Sequence, residues 1–204
     1  MIALGILLVT VSAARAAFLP PTFSAEYEER FISSTDGKER KSNGKLDYQQ
    51  PRHVRFEVLA PDPSTFVANP QTSWYYTPPF IEGEEGQVVV QKSAGLPFAR
   101  FLDALVAGAK SNAGYDAVTK GDLLTLTFKG KMKQELQLAQ AILRAKGGDA
   151  TKAVDLGDFE AVSLIHGNGK KVEMRFSTFK RDVKFPTGHF VFVIPPKTKV
   201  SEGK

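Results

Sequence analysis

The sequence predicts a mainly β protein with one prominent helix. Apolar and polar residues alternate with a period of two through most of the chain, as in strands that bury one face. Gly, Pro, Asn and Asp interrupt these runs at short intervals, which is typical of turns. One segment after Pro97 instead carries apolar residues at helical spacing. At 204 residues the chain has the length of one domain.

The first sixteen residues resemble a secretory signal peptide. The apolar run from 2 to 11 is much shorter than the roughly twenty residues that span a bilayer. Ala14-Arg15-Ala16 then matches a small-x-small cleavage site. We therefore expect a signal peptide over 1–16 and a single domain over 17–204; a buried amino-terminal strand or helix is the alternative. The chain has no cysteine for lipid attachment, so we expect a soluble protein, periplasmic in a two-membrane bacterium.

The residues before the helix predict a series of strands. Phe23, Ala25, Tyr27 and Phe31 alternate with polar residues, and Asp36-Gly37 offers a tight turn into a second strand near 43–48. Further strands are predicted at 54–58, 66–68, 73–76 and 88–91.

An amphipathic helix of about three turns is predicted after Pro97, which suits a first helical turn. Gly108 and Lys110 suit its end. The apolar face comprises Phe98, Phe101, Leu102, Leu105 and Val106.

Strands return beyond the helix. We predict strands around 124–128 and 132–138, a possible short helix at 139–146, and a loop insertion over 147–157. His166-Gly167-Asn168-Gly169 predicts a hairpin between strands at 159–165 and 171–179. Residues 190–194 alternate again and are predicted to form the last strand.

The sequence carries little catalytic chemistry. It contains no cysteine, its three histidines lack metal-ligand spacing, and neither a nucleophile elbow nor a phosphate loop is present. We therefore expect no enzyme, metal or cofactor. The net charge of +5 and basic residues interleaved with aromatic ones could suit nucleic acid, but a secretion signal argues against that partner.

The aromatic residues, 15 Phe, 5 Tyr and 1 Trp, allow two interpretations. A curved sheet covered by a helix can enclose a hydrophobic cavity. The same side chains can simply fill a core, which periodicity alone favours.

The order of motifs resembles the periplasmic outer-membrane lipoprotein carriers, the LolA family. The motifs are FSAEY from Phe23, GKL from Gly44, PRHVRFE from Pro51, SWYYTP from Ser73, the helix opening Leu96-Pro97-Phe98, and FVFVIPP from Phe190.

The resemblance implies an incomplete, strongly curved antiparallel β-barrel with a helical lid over a hydrophobic cavity. It also implies a shuttle that accepts a triacylated lipoprotein from an inner-membrane ABC transporter and passes it to an outer-membrane receptor. A related periplasmic lipid-binding or lipoprotein-sensing module is the alternative. We expect a monomer, and the sequence leaves open whether the cargo is diacylated or triacylated.

Three departures from the family's pattern concern the lid. The family's first lid helix has no counterpart before Phe23. Gln50 stands where the family has an arginine that pins the lid. The segment 139–158 is longer than the family's corresponding turn and could add a covering element.

We expect two sets of residues to enclose the acyl chains. The cavity set is Phe56, Trp74, Tyr76, Leu124, Leu126, Val172, Met174 and Phe176. The lid set is Phe98, Phe101, Leu102, Leu105 and Val106.

Overall fold

The computed structural model describes residues 17–33, 36–93, 97–106 and 108–203. The predicted signal peptide, 1–16, lies outside the described residues. Within the described part, the chain forms a twelve-stranded sheet, two α-helices and two short 3₁₀ turns. No helix among the described residues is long and apolar enough to cross a membrane.

The strands follow the chain in order, interrupted by the two helices. They are β1 (Thr22–Ile32), β2 (Glu39–Gln49), β3 (His53–Ala60), β4 (Ser64–Ala68), β5 (Thr72–Thr77), β6 (Gly86–Lys92), β7 (Tyr115–Lys120), β8 (Leu123–Phe128), β9 (Leu138–Ala145), β10 (Phe159–His166), β11 (Lys171–Arg181) and β12 (Thr198–Glu202). Helix α1 spans Pro97–Val106 between β6 and β7, and α2 spans Gly130–Leu136 between β8 and β9.

The sheet is open, which confirms the expected mainly β, incomplete barrel. Its strand order is β12-β6-β5-β4-β3-β2-β1-β11-β10-β9-β8-β7, so β12 and β7 form the two edges. Neighbouring strands pair antiparallel, except that β12 runs parallel to β6. The prediction of an antiparallel sheet therefore fails at this one edge.

The sheet wraps strongly around its inner face. Side chains from nine consecutive strands, β5 through β8 in the strand order, line one cavity. Nine flat strands would span about 40 Å at a spacing of about 4.8 Å. A cavity lined by all of them therefore requires the sheet to curl.

Two predicted elements between β8 and β10 are wrong. Residues 132–138 were expected as a strand, but most of them belong to α2, which ends where Gln137 adopts a left-handed conformation. A helix is the alternative that the sequence left open for 139–146, but all of these residues except the last belong to β9, which pairs with both β8 and β10. Two partner strands and alternate burial of Ala141, Leu143 and Ala145 override the helical propensity of this Ala- and Leu-rich segment.

The segment 182–197, which we call the outer strap, crosses the outer face of the sheet. It connects β11, next to β1, with β12 at the far edge. Nε2 of His189 lies 2.8 Å from Oδ2 of the buried Asp47, and the ring of Phe192 lies 5.2 Å from that of Tyr76. Val67 and Val88 are fully buried, and strand register places both on the outer face with Asp47 and Tyr76. The sheet therefore buries apolar residues on both faces.

The outer strap corrects the prediction of a final strand at 190–194. These residues form no strand, although burial still alternates from Phe190, which is 6% exposed, to Val193, which is 83% exposed. Extended chain lying on a sheet also buries every second side chain. The last strand is instead β12.

Close packing at Gly44 predicts a large effect of adding one methyl group. A Cβ at this position in β2 would overlap the Glu57 carbonyl oxygen and the Tyr27 ring, whose hydroxyl donates to that carbonyl at 3.1 Å. We expect Gly44→Ala to lower the free energy of unfolding by about 2 kcal/mol, measured by urea denaturation. Gly147→Ala is the control, because a Cβ there meets open space. Equal stability of the two variants would contradict this packing.

Candidate functional site

An apolar cavity of about 480 Å³ lies between the inner face of the sheet and α1. This volume is within the range of about 300–1,000 Å³ typical of small-molecule pockets. The sheet contributes Phe23, Glu29, Leu46, Tyr48, Val54, Phe56, Phe66, Tyr75, Leu126, Ala141, Leu143, Val162, Leu164, Val172, Met174 and Phe176. The cavity is the first candidate for a binding site because its wall is continuous and almost wholly apolar.

The structure brings together five of the eight residues in the predicted cavity set. Phe56, Leu126, Val172, Met174 and Phe176 line the cavity. Leu124 is buried in the adjoining hydrophobic core and does not line the cavity.

Trp74 and Tyr76 correct the predicted cavity set, because the structure places them on the outer face of β5. Tyr75, between them, lines the cavity instead and pairs with Phe66 of β4. Because three consecutive residues of β5 are aromatic, the sequence pattern does not show which side of the strand faces inward. The pairing of Leu46 with Phe56, Phe56 with Phe66, and Phe66 with Tyr75 identifies the inner row.

Helix α1 covers the cavity as the predicted lid set implies. Phe101, Leu102 and Leu105 line the cavity, and the two leucines are buried. The Phe101 ring packs edge-on against Phe128 of β8 at 5.4 Å. Val106 packs against the core. Phe98 lies in α1, but its side chain is outside the described residues.

Arg52 connects the sheet to α1, a role that the sequence pattern did not predict. Its Nε–H donates one bifurcated hydrogen bond to the two carboxylate oxygens of Asp103 in α1, at 3.0 and 3.1 Å, and Nη2 donates a further bond. Gln50, at the position of the family's lid-pinning arginine, instead donates to the Leu19 carbonyl at 3.2 Å. An arginine two positions later therefore connects the β2–β3 turn to the helix.

The amino-terminal segment and the predicted insertion close one end of the cavity. Leu19 and Leu156 line the cavity, and the Leu156 amide donates to the Phe18 carbonyl at 2.8 Å. Arg181 holds the insertion by bonding Asp155 with both Nε and Nη2, and its pKa is raised by these hydrogen bonds. Leu156 thus covers one end of the cavity, as the length of the segment 139–158 suggested. Only a short described segment precedes β1.

The cavity wall is nearly free of charge. Burial, with the Asp103 carboxylate as a smaller contribution, raises the pKa of Tyr48 to about 12, so its hydroxyl remains neutral at physiological pH. Among the described residues that line the cavity, Glu29 is the one with a charged side chain. Such an enclosure can exclude water from an apolar ligand.

A curved open sheet with an apolar cavity beneath a helix places this molecule in the class of β proteins that enclose hydrophobic ligands. The sequence narrows the class, because residues 21–193 match the family model described as outer membrane lipoprotein carrier protein LolA. The chain belongs to this family.

Individual relatives are distant but extend over most of the chain. The outer-membrane lipoprotein carrier protein of Dechloromonas aromatica (strain RCB) is 27% identical over 180 residues, which cover 85% of this chain and 78% of the relative. That of Aeromonas salmonicida (strain A449) is 23% identical over 182 residues, or 88% and 82%. A solved LolA superfamily protein of Nitrosomonas europaea aligns with 87% of this chain and 93% of its own at 10% identity, with a TM-score of 0.42.

The Arg52–Asp103 contact predicts how firmly the lid is held. Both side chains are partly exposed, so we expect Arg52→Ala to cost at most about 1 kcal/mol, enough to raise the open population of α1 about fivefold. Hydrogen exchange of the α1 amides, followed by mass spectrometry, measures this change.

Arg144→Ala is the control, since Arg144 forms a comparably exposed ion pair with Asp122 away from the lid. Unchanged α1 exchange in Arg52→Ala would refute the anchoring role.

Proposed function

We propose that this protein is a periplasmic carrier that encloses the acyl chains of lipoproteins and moves them from the inner to the outer membrane. The observation that carries the proposal is the apolar cavity beneath α1 in a chain of the lipoprotein carrier family. The residues proposed to contact the acyl chains are Phe56, Leu126, Val172, Met174 and Phe176 of the sheet, with Phe101, Leu102 and Leu105 of α1.

Burial of acyl chains supplies the binding energy for such a carrier. Each methylene group removed from water contributes about 0.8 kcal/mol, so even part of one chain gives substantial affinity. The cavity wall offers matching apolar surface from both aromatic and aliphatic side chains. Release then needs an acceptor that shields the chains equally well.

The exposure of the cavity's two ends indicates where cargo enters. At the α1 end, Phe23, Tyr48 and Val54 are at most 2% exposed. At the opposite end, Val172 and Met174 of β11 line the cavity and are only partly buried. We infer that the chains enter at this second end, which we call the mouth, and that movement of α1 enlarges the space within.

The partners proposed for the two transfers follow from the carrier role. An inner-membrane ABC transporter supplies the acylated lipoprotein, and an outer-membrane receptor removes it. The proposed signal peptide at 1–16 delivers the chain to the periplasm between them. Binding and release require no catalytic step.

Native mass spectrometry of the periplasmic protein tests the proposal directly. The protein is co-expressed with a model outer-membrane lipoprotein, or with the same lipoprotein whose acylated cysteine is replaced. We expect a one-to-one complex with the acylated form only. Copurified free phospholipid without lipoprotein would favour a lipid-binding module, and a stable complex with the unacylated protein would favour a sensing module.

A charge placed in the cavity is expected to block acyl binding. Val172 lines the cavity near the mouth, so Val172→Glu would force an acyl chain to desolvate a carboxylate. We expect the affinity for a fluorescent acylated peptide to fall by at least about tenfold.

Val118→Glu is the matched control, because Val118 is 61% exposed on the edge strand β7. Circular dichroism must be unchanged in both variants. Undiminished binding by folded Val172→Glu would place the acyl chains elsewhere.

A further inference from the structure

The loop between β5 and β6, residues 78–85, presents two large apolar side chains to solvent. Phe80 is 96% exposed and Ile81 is 57% exposed. Two prolines precede Phe80, and the ring of each fixes its own φ angle. The Glu84 amide donates to the Ile81 carbonyl at 3.2 Å and closes a turn at the tip. The apolar side chains are therefore held in solvent by an ordered loop.

Two more exposed apolar residues adjoin the base of this loop. Val193 is 83% exposed and Ile194 is 38% exposed, and both belong to the outer strap. The strap residues on either side of this pair contact Tyr76 of β5 and Gly86 of β6, close to where the loop begins and ends. The loop and the strap thus bring together four exposed apolar side chains, which we call the rim patch: Phe80, Ile81, Val193 and Ile194.

Strand direction places the rim patch at the mouth. Val172, which lines the cavity at the mouth, pairs with Phe31 near the end of β1. From β1 to β6 the strands alternate in direction, so β5 ends and β6 begins at the same end of the sheet as the mouth. The rim patch therefore borders the opening through which we infer that acyl chains enter.

A group of exposed apolar side chains has a different meaning from isolated ones. Single exposed valines, such as Val118 of β7 and Val154 between β9 and β10, are ordinary on protein surfaces. Four such side chains on two adjoining segments beside an opening indicate a surface that another molecule covers.

The shape and charge of the rim patch favour a lipid surface as that molecule. Phe80 and Ile81 project from the tip of a loop, so they can enter a deformable bilayer interface without a preformed pocket. The exposed acidic and basic groups that border the patch nearly balance: Glu82, Glu84 and Glu85 in the loop, and Lys197 and Lys199 where the strap meets β12. Burial of hydrocarbon, rather than attraction to anionic lipid, therefore dominates the contact.

We propose that the rim patch docks the mouth on the surface of a bilayer, with Phe80 and Ile81 in the lipid interface. The inference adds a lipid contact to the proposed carrier function, on which the identification of the mouth rests. Acyl chains leave one bilayer and enter another during carriage. Docking by the rim patch places the opening of the cavity beside the lipid that releases or receives them.

The docking is reversible because little hydrocarbon enters the membrane. A single myristoyl chain already gives only marginal, reversible membrane binding. Two side chains at a loop tip bury less hydrocarbon than such a chain. The protein can therefore leave one membrane and reach the next.

Lysines on the other side of the mouth offer a competing mode of membrane contact. Lys41 lies in β2, and Lys170 lies over the Phe31 ring in the turn between β10 and β11. Attraction of anionic lipid to these ammonium groups would be screened by salt, whereas burial of Phe80 and Ile81 would not. Salt dependence therefore distinguishes the two modes.

The test measures partition of the mature protein onto vesicles of phosphatidylcholine, which has no net charge, by sedimentation at millimolar lipid. We expect the double variant Phe80→Ser/Ile81→Ser to partition at least about tenfold more weakly than the wild type, because both side chains lose their burial in lipid. Raising the salt from about 0.15 M to about 0.5 M should change the wild-type partition by less than about twofold.

Val154→Ser is the matched control. Val154 is 59% exposed, about as much as Ile81, but it lies in the segment that closes the opposite end of the cavity. This variant should partition as the wild type does. Circular dichroism must be unchanged in both variants.

Three results would overturn the docking role. The first is a wild-type protein that stays in the supernatant, and the second is a double variant that sediments as the wild type does. The third is sedimentation that requires phosphatidylglycerol and disappears at high salt, since that pattern identifies lysines as the membrane contact. If the wild type ignored vesicles and the double variant lost affinity for the transporter's periplasmic domain, the partner would be a protein and the assignment to lipid would be wrong.

Binding of a fluorescent acylated peptide reports the carrier function separately. The rim patch lies outside the set of residues that line the cavity, so the double variant should bind the peptide within about twofold of the wild type. Failure of the wild type to bind the peptide would overturn carriage. Failure confined to the vesicles would overturn only the docking.

Discussion

The rest of this structure depends on one constraint. The apolar side chains of the inner face surround a cavity on the concave side of the sheet instead of packing against one another. Side chains that line a cavity have fewer protein partners for dispersion contacts than side chains in a packed core. The cavity of about 480 Å³ therefore reduces the stability of the curved sheet. Packing elsewhere must offset this loss.

The outer strap supplies much of that packing. It crosses from β11 to the β12 edge and lies against the convex side of the sheet, where Val67 and Val88 are fully buried. The His189–Asp47 contact fixes it near its centre. Because this second apolar layer lies outside the cavity, the sheet gains burial energy without filling the space that a ligand needs.

The lid is held less firmly than the sheet. Helix α1 has only ten residues, a length at which an isolated helix is marginal in water. Leu102 and Leu105 hold it by apolar contact, and the partly exposed Arg52–Asp103 contact adds a modest electrostatic contribution. A cover of this kind can move at small energetic cost while the twelve-stranded sheet stays intact, which suits a protein that must both bind and release.

Sequence patterns alone determined the mainly β class, α1 and its apolar face, and the 166–169 hairpin, because each depends on local periodicity and turn chemistry. The tertiary structure decided what local patterns leave ambiguous. β9 is a strand because two neighbours pair with it, and the alternation at 190–194 belongs to the outer strap. Tyr75, rather than Trp74 and Tyr76, faces the cavity. Hydrophobicity does not identify this inner side, because both faces of β5 carry aromatic residues. The meeting of Phe80 with the strap residues Val193 and Ile194 at the mouth depends on strand order and on the course of the outer strap, which arise from contacts between residues far apart in the chain.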